Sequence, residues 1–242
     1  MQGWRNTMED SHICAVTLDN NVQVFGVFDG HGGILMTSLM CLSIGREVAL
    51  YVKDVYIKEL AKLQSFKAKD YKTALEESFI KIDELLKSPQ GLKDIKKYSA
   101  KDESQSAMFG RPETDNIALY TGCTACVILI TDSEIYCANA GDSRCVLSND
   151  GKAVEMSIDH KPELSTERAR IEKAGGFVEE NRVKGVLNLS RSMGDLEYKQ
   201  DKNLSVELQM ITVVPEIKVE RITKANDFIV IACDGIWDCL SS

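Results

Sequence analysis

Two Asp-Gly pairs, each at the end of an apolar run, are the residues of this sequence best suited to chemistry. Asp29-Gly30 follows the run 24–28, and Asp234-Gly235 follows the run 228–233. Both runs have the composition of buried strands that stop at a carboxylate. Because a carboxylate at the end of a core strand is costly to bury without a cation, the two pairs predict one shared site for divalent metal ions.

Other acidic residues at strand ends and turns could join this site. Glu9 and Asp10 stand directly before a predicted strand, shortly after Arg5. Asp142 lies in a Gly-Asp-Ser turn between two predicted strands. Acidic residues in such places are also common in solvated turns, so their sequence positions alone leave both interpretations open.

The C-terminal acidic pair and the ligand types indicate which metal is expected. Asp238 follows Asp234 by four residues, and a helix that begins at Gly235 would place both carboxylates on the same side. The chain has three histidines and no suitable set of thiolates. Oxygen ligands from Asp and Glu therefore favour Mg²⁺ or Mn²⁺ over zinc.

Antiparallel hairpins and inserted helices are predicted to position these residues. The hairpins pair 12–18 with 22–28, 126–130 with 135–140, and 144–147 with 153–156. Apolar periodicity predicts long helices over 45–63 and 71–86 and a shorter helix from Ser165 to Gly175. Consecutive hairpins with helices between them favour an α+β fold over a parallel sheet.

Composition limits the classes of protein. With 242 residues, 44% of them hydrophobic, the chain predicts one domain over 1–242, with the polar segment 88–116 as a loop or insertion. The net charge of −8 gives no electrostatic basis for binding nucleic acid or an anionic membrane. The eight cysteines are scattered through apolar segments, and no transmembrane or signal-peptide pattern is found. These features predict reduced thiols in a cytoplasmic or nuclear protein.

Seven ordered motifs resemble those of the type 2C, metal-dependent serine/threonine protein phosphatases. The motifs are residues 1–10, 27–33, 121–125, 140–144, 159–162, 189–195 and 232–238. The resemblance covers essentially the whole chain. It implies an α+β fold with a central β-sandwich of two antiparallel sheets, flanked on both sides by helix pairs in four α-β-β-α layers. It also implies hydrolysis of phosphoserine and phosphothreonine, with phosphoproteins as substrates.

The resemblance further implies two Mn²⁺ or Mg²⁺ ions at one end of the sandwich. Asp29 would bridge both ions. The other implied ligands, direct or through water, are Gly30 (by its carbonyl), Asp234, Glu9 and Asp10, with Asp142 and Asp238 at a weaker third ion. Paired cations lower the pKa of a bridging water and so supply hydroxide at neutral pH.

The remaining implied roles concern the substrate. Arg5 would bind the phosphate, because arginine forms paired hydrogen bonds that lysine cannot match. Arg182 is a further candidate on the phosphate side. His31, next to the metal ligands, would protonate the departing seryl or threonyl oxygen.

The sequence also departs from the family pattern at both ends. A late Asp-Asn motif that normally follows Asp238, and a short strand that normally precedes Met1, have no counterpart here. We therefore expect a domain that is incomplete at its C-terminus and also at its N-terminus, with weak metal binding and open sheet edges that favour a dimer. The alternative function is a pseudophosphatase that binds phosphoproteins without turnover. A third function, a nuclease-like metallohydrolase, is disfavoured by the acidic charge.

Overall fold

The computed structural model describes residue 4 and residues 7–32, 45–99 and 117–242. Its strands are β1 (Asp10–Leu18), β2 (Val22–Gly32), β3 (Thr121–Cys123), β4 (Ala125–Ile130), β5 (Glu134–Ala140), β6 (Arg144–Asn149), β7 (Lys152–Glu155), β8 (Val178–Glu179), β9 (Arg182–Val183), β10 (Met193–Gly194), β11 (Glu216–Arg221) and β12 (Asn226–Ala232). Its helices are α1 (Arg46–Lys62), α2 (Gln64–Lys67), α3 (Tyr71–Lys87), α4 (Pro89–Ser99), α5 (Ser165–Lys173) and α6 (Asp234–Trp237).

Two antiparallel sheets form the centre of the fold. The larger sheet has the order β10-β3-β2-β4-β5-β11, with β1 paired to β2, and the smaller has the order β12-β6-β7. Buried side chains from both sheets pack together, including Cys126 and Ile128 of β4 with Cys145 and Leu147 of β6. The three predicted hairpins are present as β1/β2, β4/β5 and β6/β7. The predicted α+β fold with a sandwich of two antiparallel sheets is confirmed.

A helical layer covers the outer face of the larger sheet. α1 and α3 bury one apolar face each, and Tyr56 of α1 packs its ring against Phe28 of β2 and Phe79 of α3 at centroid distances of 6.1 and 6.0 Å. Both long helices are therefore confirmed. On the other side, β12 exposes Phe228 and Val230, and the second helix pair of the four-layer prediction is not seen among the described residues. Within the same ranges, no helix has the length and apolarity needed to cross a bilayer.

The prediction of a loop or insertion over 88–116 is wrong in its first part, because Pro89–Ser99 form α4. The proline and glycine there suggest a break, but proline is favourable in the first turn of a helix. Ser88 Oγ accepts a hydrogen bond from the Gly91 N–H at 3.0 Å and so caps the helix. Ile95 is fully buried against the other helices. Residues 100–116 lie outside the described part of the chain.

Candidate metal centre

Strand pairing places the first acidic residues side by side. Asp10 of β1 is the cross-strand partner of Asp29 of β2. The Cys233 thiol, just after β12, donates to Asp10 Oδ2 at 3.1 Å. One ligand atom from each of Asp10, Asp29 and Cys233 can be chosen so that all three lie within 4.8 Å of one another. The β1/β2 hairpin and the segment after β12, which are distant in sequence, thus meet at one end of the sandwich.

The second Asp-Gly pair reaches the same place. Asp234 begins α6, and its carboxylate lies close enough to that of Asp29 for the two charges to act on each other. Asp142, in the turn after β5, is buried and acts electrostatically on both Asp29 and Asp234. Asp238 is exposed at the end of α6, where its N–H donates to the Asp234 carbonyl at 2.8 Å. We name Asp10, Asp29, Asp142, Asp234 and Asp238 the rim cluster.

Among the described residues, the acidic groups of the rim cluster outnumber the basic groups in contact with them. Burial, followed by the charges of Asp10 and Asp234, raises the pKa of Asp29 to about 8. Burial, followed by the charges of Asp142 and Asp238, also raises the pKa of Asp234. Such shifts mark carboxylates for which ionisation is unfavourable unless positive charge arrives. Half-buried oxygen donors in this electrostatic state fit a hard divalent cation.

Lys161 is a basic residue in contact with the rim cluster. Its ammonium group forms an ion pair with the Asp142 carboxylate. Burial by itself lowers the pKa of Lys161, but the charges of Asp142 and Asp234 outweigh it and the pKa is raised. This one ammonium charge offsets Asp142, and no ion pair to Asp10, Asp29 or Asp234 is found among the described residues.

Glu9 and Gly30 are also at the centre, whereas Arg5 lies outside the described residues. Glu9 is half-buried directly before β1, and its carbonyl accepts from the Gly30 N–H at 3.3 Å. A Cβ at position 30 would overlap the carbonyl oxygens of Gly45 and Glu9. Only glycine therefore allows β2 to pass this closely beside Glu9.

Thr124 supports Asp29, a role that the sequence analysis missed. Its Oγ1 accepts from the Asp29 N–H at 3.1 Å, and its own N–H donates to the Asp29 carbonyl at 2.9 Å. Thr124 Oγ1 is also 2.7 Å from the Ser143 hydroxyl, beside Asp142. The motif 121–125 pointed to this segment, but its spacing gave no partner.

His31 has a buried acidic partner that sequence reasoning also missed. His31 Nε2 lies 2.6 Å from Asp195 Oδ2, in the last residue of the motif 189–195. Burial lowers the pKa of His31, but the charge and hydrogen bond of Asp195 outweigh burial, so the pKa is raised. The structure thus places a ring with acid character two residues after Asp29.

The structure does not bring Arg182 to the rim cluster. Arg182 is exposed on β9, and its guanidinium donates to the Val186 carbonyl at 2.7 Å. Within the described part of the chain, this local contact is the hydrogen bond that its side chain makes. The structure gives no support for a phosphate-binding role of Arg182.

The sequence matches one family over its full length. The model of the family described as protein phosphatase 2C matches residues 1–242. "Probable protein phosphatase 2C 3" of Paramecium tetraurelia is 46% identical over 241 residues, which cover 100% of this chain and 72% of that protein. "Probable protein phosphatase 2C 58" of Oryza sativa subsp. japonica is 39% identical over 264 residues, which cover 100% of this chain and 68% of that protein.

Solved structures support the same fold. The serine-threonine phosphatase 2C from Toxoplasma gondii aligns with a TM-score of 0.70 at 19% identity, covering 98% of this chain and 76% of that one. A phosphatase from a pathogenic strain of Toxoplasma gondii aligns with a TM-score of 0.67 at 24% identity, covering 97% of this chain and 74% of that one. The motif-based prediction is thereby confirmed: the chain belongs to the protein phosphatase 2C family of serine/threonine protein phosphatases.

Proposed function

We propose that this chain hydrolyses phosphoserine and phosphothreonine in proteins, with divalent metal ions bound at the rim cluster. The observation that carries the proposal is the convergence of Asp10 and Asp29 of the β1/β2 hairpin with Asp234 of α6, with the pKa of Asp29 raised to about 8. Without cations this arrangement is electrostatically unfavourable, and a fold retains such groups where function requires them. The protein phosphatase 2C family depends on Mn²⁺ or Mg²⁺.

Two Mn²⁺ or Mg²⁺ ions are proposed, and Asp29 would contribute to holding both, because its carboxylate interacts with those of Asp10 and Asp234. Asp142 and Asp238 would hold a weaker third ion. When bound, such ions neutralise the phosphoryl oxygens and make a coordinated water nucleophilic at neutral pH. A phosphorylated protein is a suitable substrate because these ions supply the positive charge that an acidic protein otherwise lacks.

The chain's own residues would position the metal ligands, water and phosphate, and would protonate the leaving group. Thr124 fixes the backbone of Asp29 by hydrogen bonds to both its N–H and its carbonyl. Glu9 and Asp10 would orient water, and Arg5 would bind the phosphate. His31 would give a proton to the seryl or threonyl oxygen as its bond to phosphorus breaks.

The alternative of a phosphoprotein-binding module without turnover gains no support from the relatives, which are named as phosphatases. A nuclease remains disfavoured because the chain carries a net charge of −8. Turnover itself decides between these functions, so the test measures turnover and metal binding together.

The experiment compares hydrolysis of a phosphothreonine peptide in Mn²⁺ and in EDTA. We expect turnover with Mn²⁺ only, and a loss of about 10³-fold in Asp29→Asn, or about 4 kcal/mol of transition-state stabilisation. Asp19→Asn, in the exposed turn after β1, is the matched control and should keep wild-type turnover. Turnover that persists in EDTA would rule out the metal mechanism. Tight Mn²⁺ binding by calorimetry with no turnover would favour the binding module.

A further inference from the structure

The last residue of the motif 189–195 has no role in the function proposed so far. Asp195 has a side chain only 4% exposed and a backbone φ of 49°, in the left-handed region. It reaches across 164 residues of sequence to hydrogen-bond His31 at 2.6 Å. A buried carboxylate in a strained conformation, bonded to a ring beside a candidate metal centre, is a functional-site signal.

The sheet is built so that this contact can form. In the larger sheet, Gly194 of β10 pairs with Gly122 of β3, and Gly122 pairs with His31 of β2. The Asp195 carboxylate therefore passes over the middle strand to reach the far one. A Cβ at Gly122 would overlap Asp195 Oδ2. The absence of a side chain at position 122 opens the path between the carboxylate and the imidazole.

A second set of buried contacts fixes the position of the carboxylate. Ser192 Oγ donates to Asp195 Oδ2 at 2.5 Å. Asp83 of α3 accepts from the Gly194 N–H at 2.9 Å and from the Lys199 ammonium at 2.6 Å. Because Asp83 and Lys199 are themselves buried, the segment that carries Asp195 is tied to the helical layer. The contact with His31 is thus held by the core of the protein.

The contact also determines how the imidazole is oriented. A carboxylate accepts hydrogen bonds, so Nε2 of His31 must carry the hydrogen that points to Asp195. Nδ1 of His31 is buried and has no hydrogen-bond partner among the described residues. It is the ring nitrogen left for proton exchange.

We propose that Asp195 is a positioning residue, which holds His31 with Nε2–H bonded to the carboxylate and Nδ1 available to the leaving group. As a water oxygen bonds to phosphorus, the phosphorus–oxygen ester bond breaks and its electron pair goes to the seryl or threonyl oxygen, which takes the Nδ1 proton of the imidazolium. The neutral ring keeps its Nε2–H on Asp195. This inference rests on the proposed phosphatase function.

The kinetic test compares two substrates in Mn²⁺. Asp195→Asn should lower kcat for a phosphothreonine peptide about 10- to 100-fold with little change in KM, because removal of a partner that orients a functional group costs about this much. The loss with p-nitrophenyl phosphate should be under about threefold, since its leaving group needs little protonation. Adding Asp195→Asn to His31→Ala should cause no further loss, as expected for residues that act together.

Two further variants separate positioning from general support of the fold. Ser192→Ala removes one bond to the carboxylate and leaves the imidazole contact, so its effect should be smaller than that of Asp195→Asn. Asp201→Asn, an exposed residue of the same segment, should match the wild type. An equal loss on both substrates in Asp195→Asn would overturn the proposal, because a merely structural role gives that result.

Nitrogen-15 NMR of the imidazoles gives a readout that does not depend on turnover. The chain has three histidines, so His31→Ala assigns the signals of His31. We expect a strongly downfield Nε2–H proton in the wild type and its loss in Asp195→Asn. A wild-type spectrum with the hydrogen on Nδ1 alone would overturn the proposal, even if the variant fails to fold. A wild type with the expected spectrum but without Mn²⁺-dependent turnover would overturn the proposed function. It would also overturn the catalytic role of the Asp195–His31 hydrogen bond.

Discussion

Two carboxylates of this protein, the half-buried Asp29 and the buried Glu167, meet opposite electrostatic conditions. Glu167 of α5 has a side chain 2% exposed and accepts hydrogen bonds from Arg170, Arg191 and Ser190, each at 2.7 Å. Burial alone would raise the pKa of Glu167, but the two arginines outweigh it and lower the pKa to about 2. At Asp29, burial and neighbouring carboxylates act in the same direction and raise the pKa to about 8.

The two residues differ in whether the fold itself supplies the countercharge of the acid. Glu167 has its countercharges inside the chain, so its network stabilises structure without any ligand. It also bridges α5 to Ser190 and Arg191, just before the segment that carries Asp195. Asp29 lies in the rim cluster, whose negative charges exceed the positive charges that the described residues bring to it. A bound cation would neutralise that cluster. We therefore assign a functional role to Asp29 and a structural role to Glu167.

The largest effect is expected from a substitution in the rim cluster, which tests whether this cluster is the functional site. Asp234→Asn should reduce Mn²⁺-dependent turnover by about 10³-fold, because it removes one of the carboxylates that are proposed to hold the metal ions. Mn²⁺ binding measured by calorimetry should weaken in parallel. The control is Asp150→Asn, in an exposed turn with φ of 52° that asparagine also tolerates. Wild-type Mn²⁺ affinity in Asp234→Asn would contradict the assignment of the ligand.

The next effect tests the stability that the buried Glu167 network contributes. Glu167→Gln leaves the guanidinium groups of Arg170 and Arg191 without their countercharge, which should lower the free energy of unfolding by about 3 kcal/mol at pH 7. Urea unfolding measures this change. Glu172→Gln on the same helix removes a surface contact of 4.0 Å with Arg168 and should shift stability by about 0.5 kcal/mol or less. Equal effects of the two variants would show that the buried network carries no special stability.

A pH series sharpens the same comparison. The pKa of Glu167 is lowered in the folded state to about 2 from an ordinary value of 4.5. Its stabilisation is therefore present above about pH 4.5 and is lost as the pH falls toward 2. We expect the stability difference between wild type and Glu167→Gln to shrink between pH 5 and pH 3 by about 1 to 2 kcal/mol. A difference that stays constant over this range would mean that the charge of Glu167 is not the cause.

The features that sequence could predict are those set by local pattern. Apolar runs that end at Asp29 and Asp234 indicate strand ends, and the structure joins those two ends because the sandwich brings them to one rim. The long helices and the three hairpins follow from periodicity in the same way. The prediction of a loop over residues 89–99 was wrong. Pro89 and Gly91 suggest a break when taken alone, whereas the cap from Ser88 makes them compatible with a helix.

The supporting residues of the site could not be predicted because their partners are distant in sequence. Thr124 is 95 residues from Asp29, Asp195 is 164 from His31, and Cys233 is 223 from Asp10. Threonine, aspartate and cysteine have many structural uses, and no local spacing distinguishes these three. Their segments could be singled out from motifs, but their roles depend on strand order and on side chains crossing between strands.

The smallest expected effect is on the stability of the metal-free protein, and it has the opposite sign to that of Glu167→Gln. An acid whose folded pKa is raised from 3.8 to about 8 costs stability as the pH rises through this interval, because the folded state then binds more protons than the unfolded state. Asp29→Asn removes that cost, so in EDTA at pH 7 it should raise the free energy of unfolding. The full pKa difference would correspond to about 4 kcal/mol, which solvent screening at this half-buried group reduces to about 1 kcal/mol. Mn²⁺ should reverse the order, since ligand binding stabilises only the chain that retains the site. Thermal unfolding of wild type and Asp29→Asn with and without Mn²⁺ measures all four values. If Asp29→Asn is the less stable protein in EDTA, the rim cluster is not under electrostatic strain and its contrast with Glu167 fails.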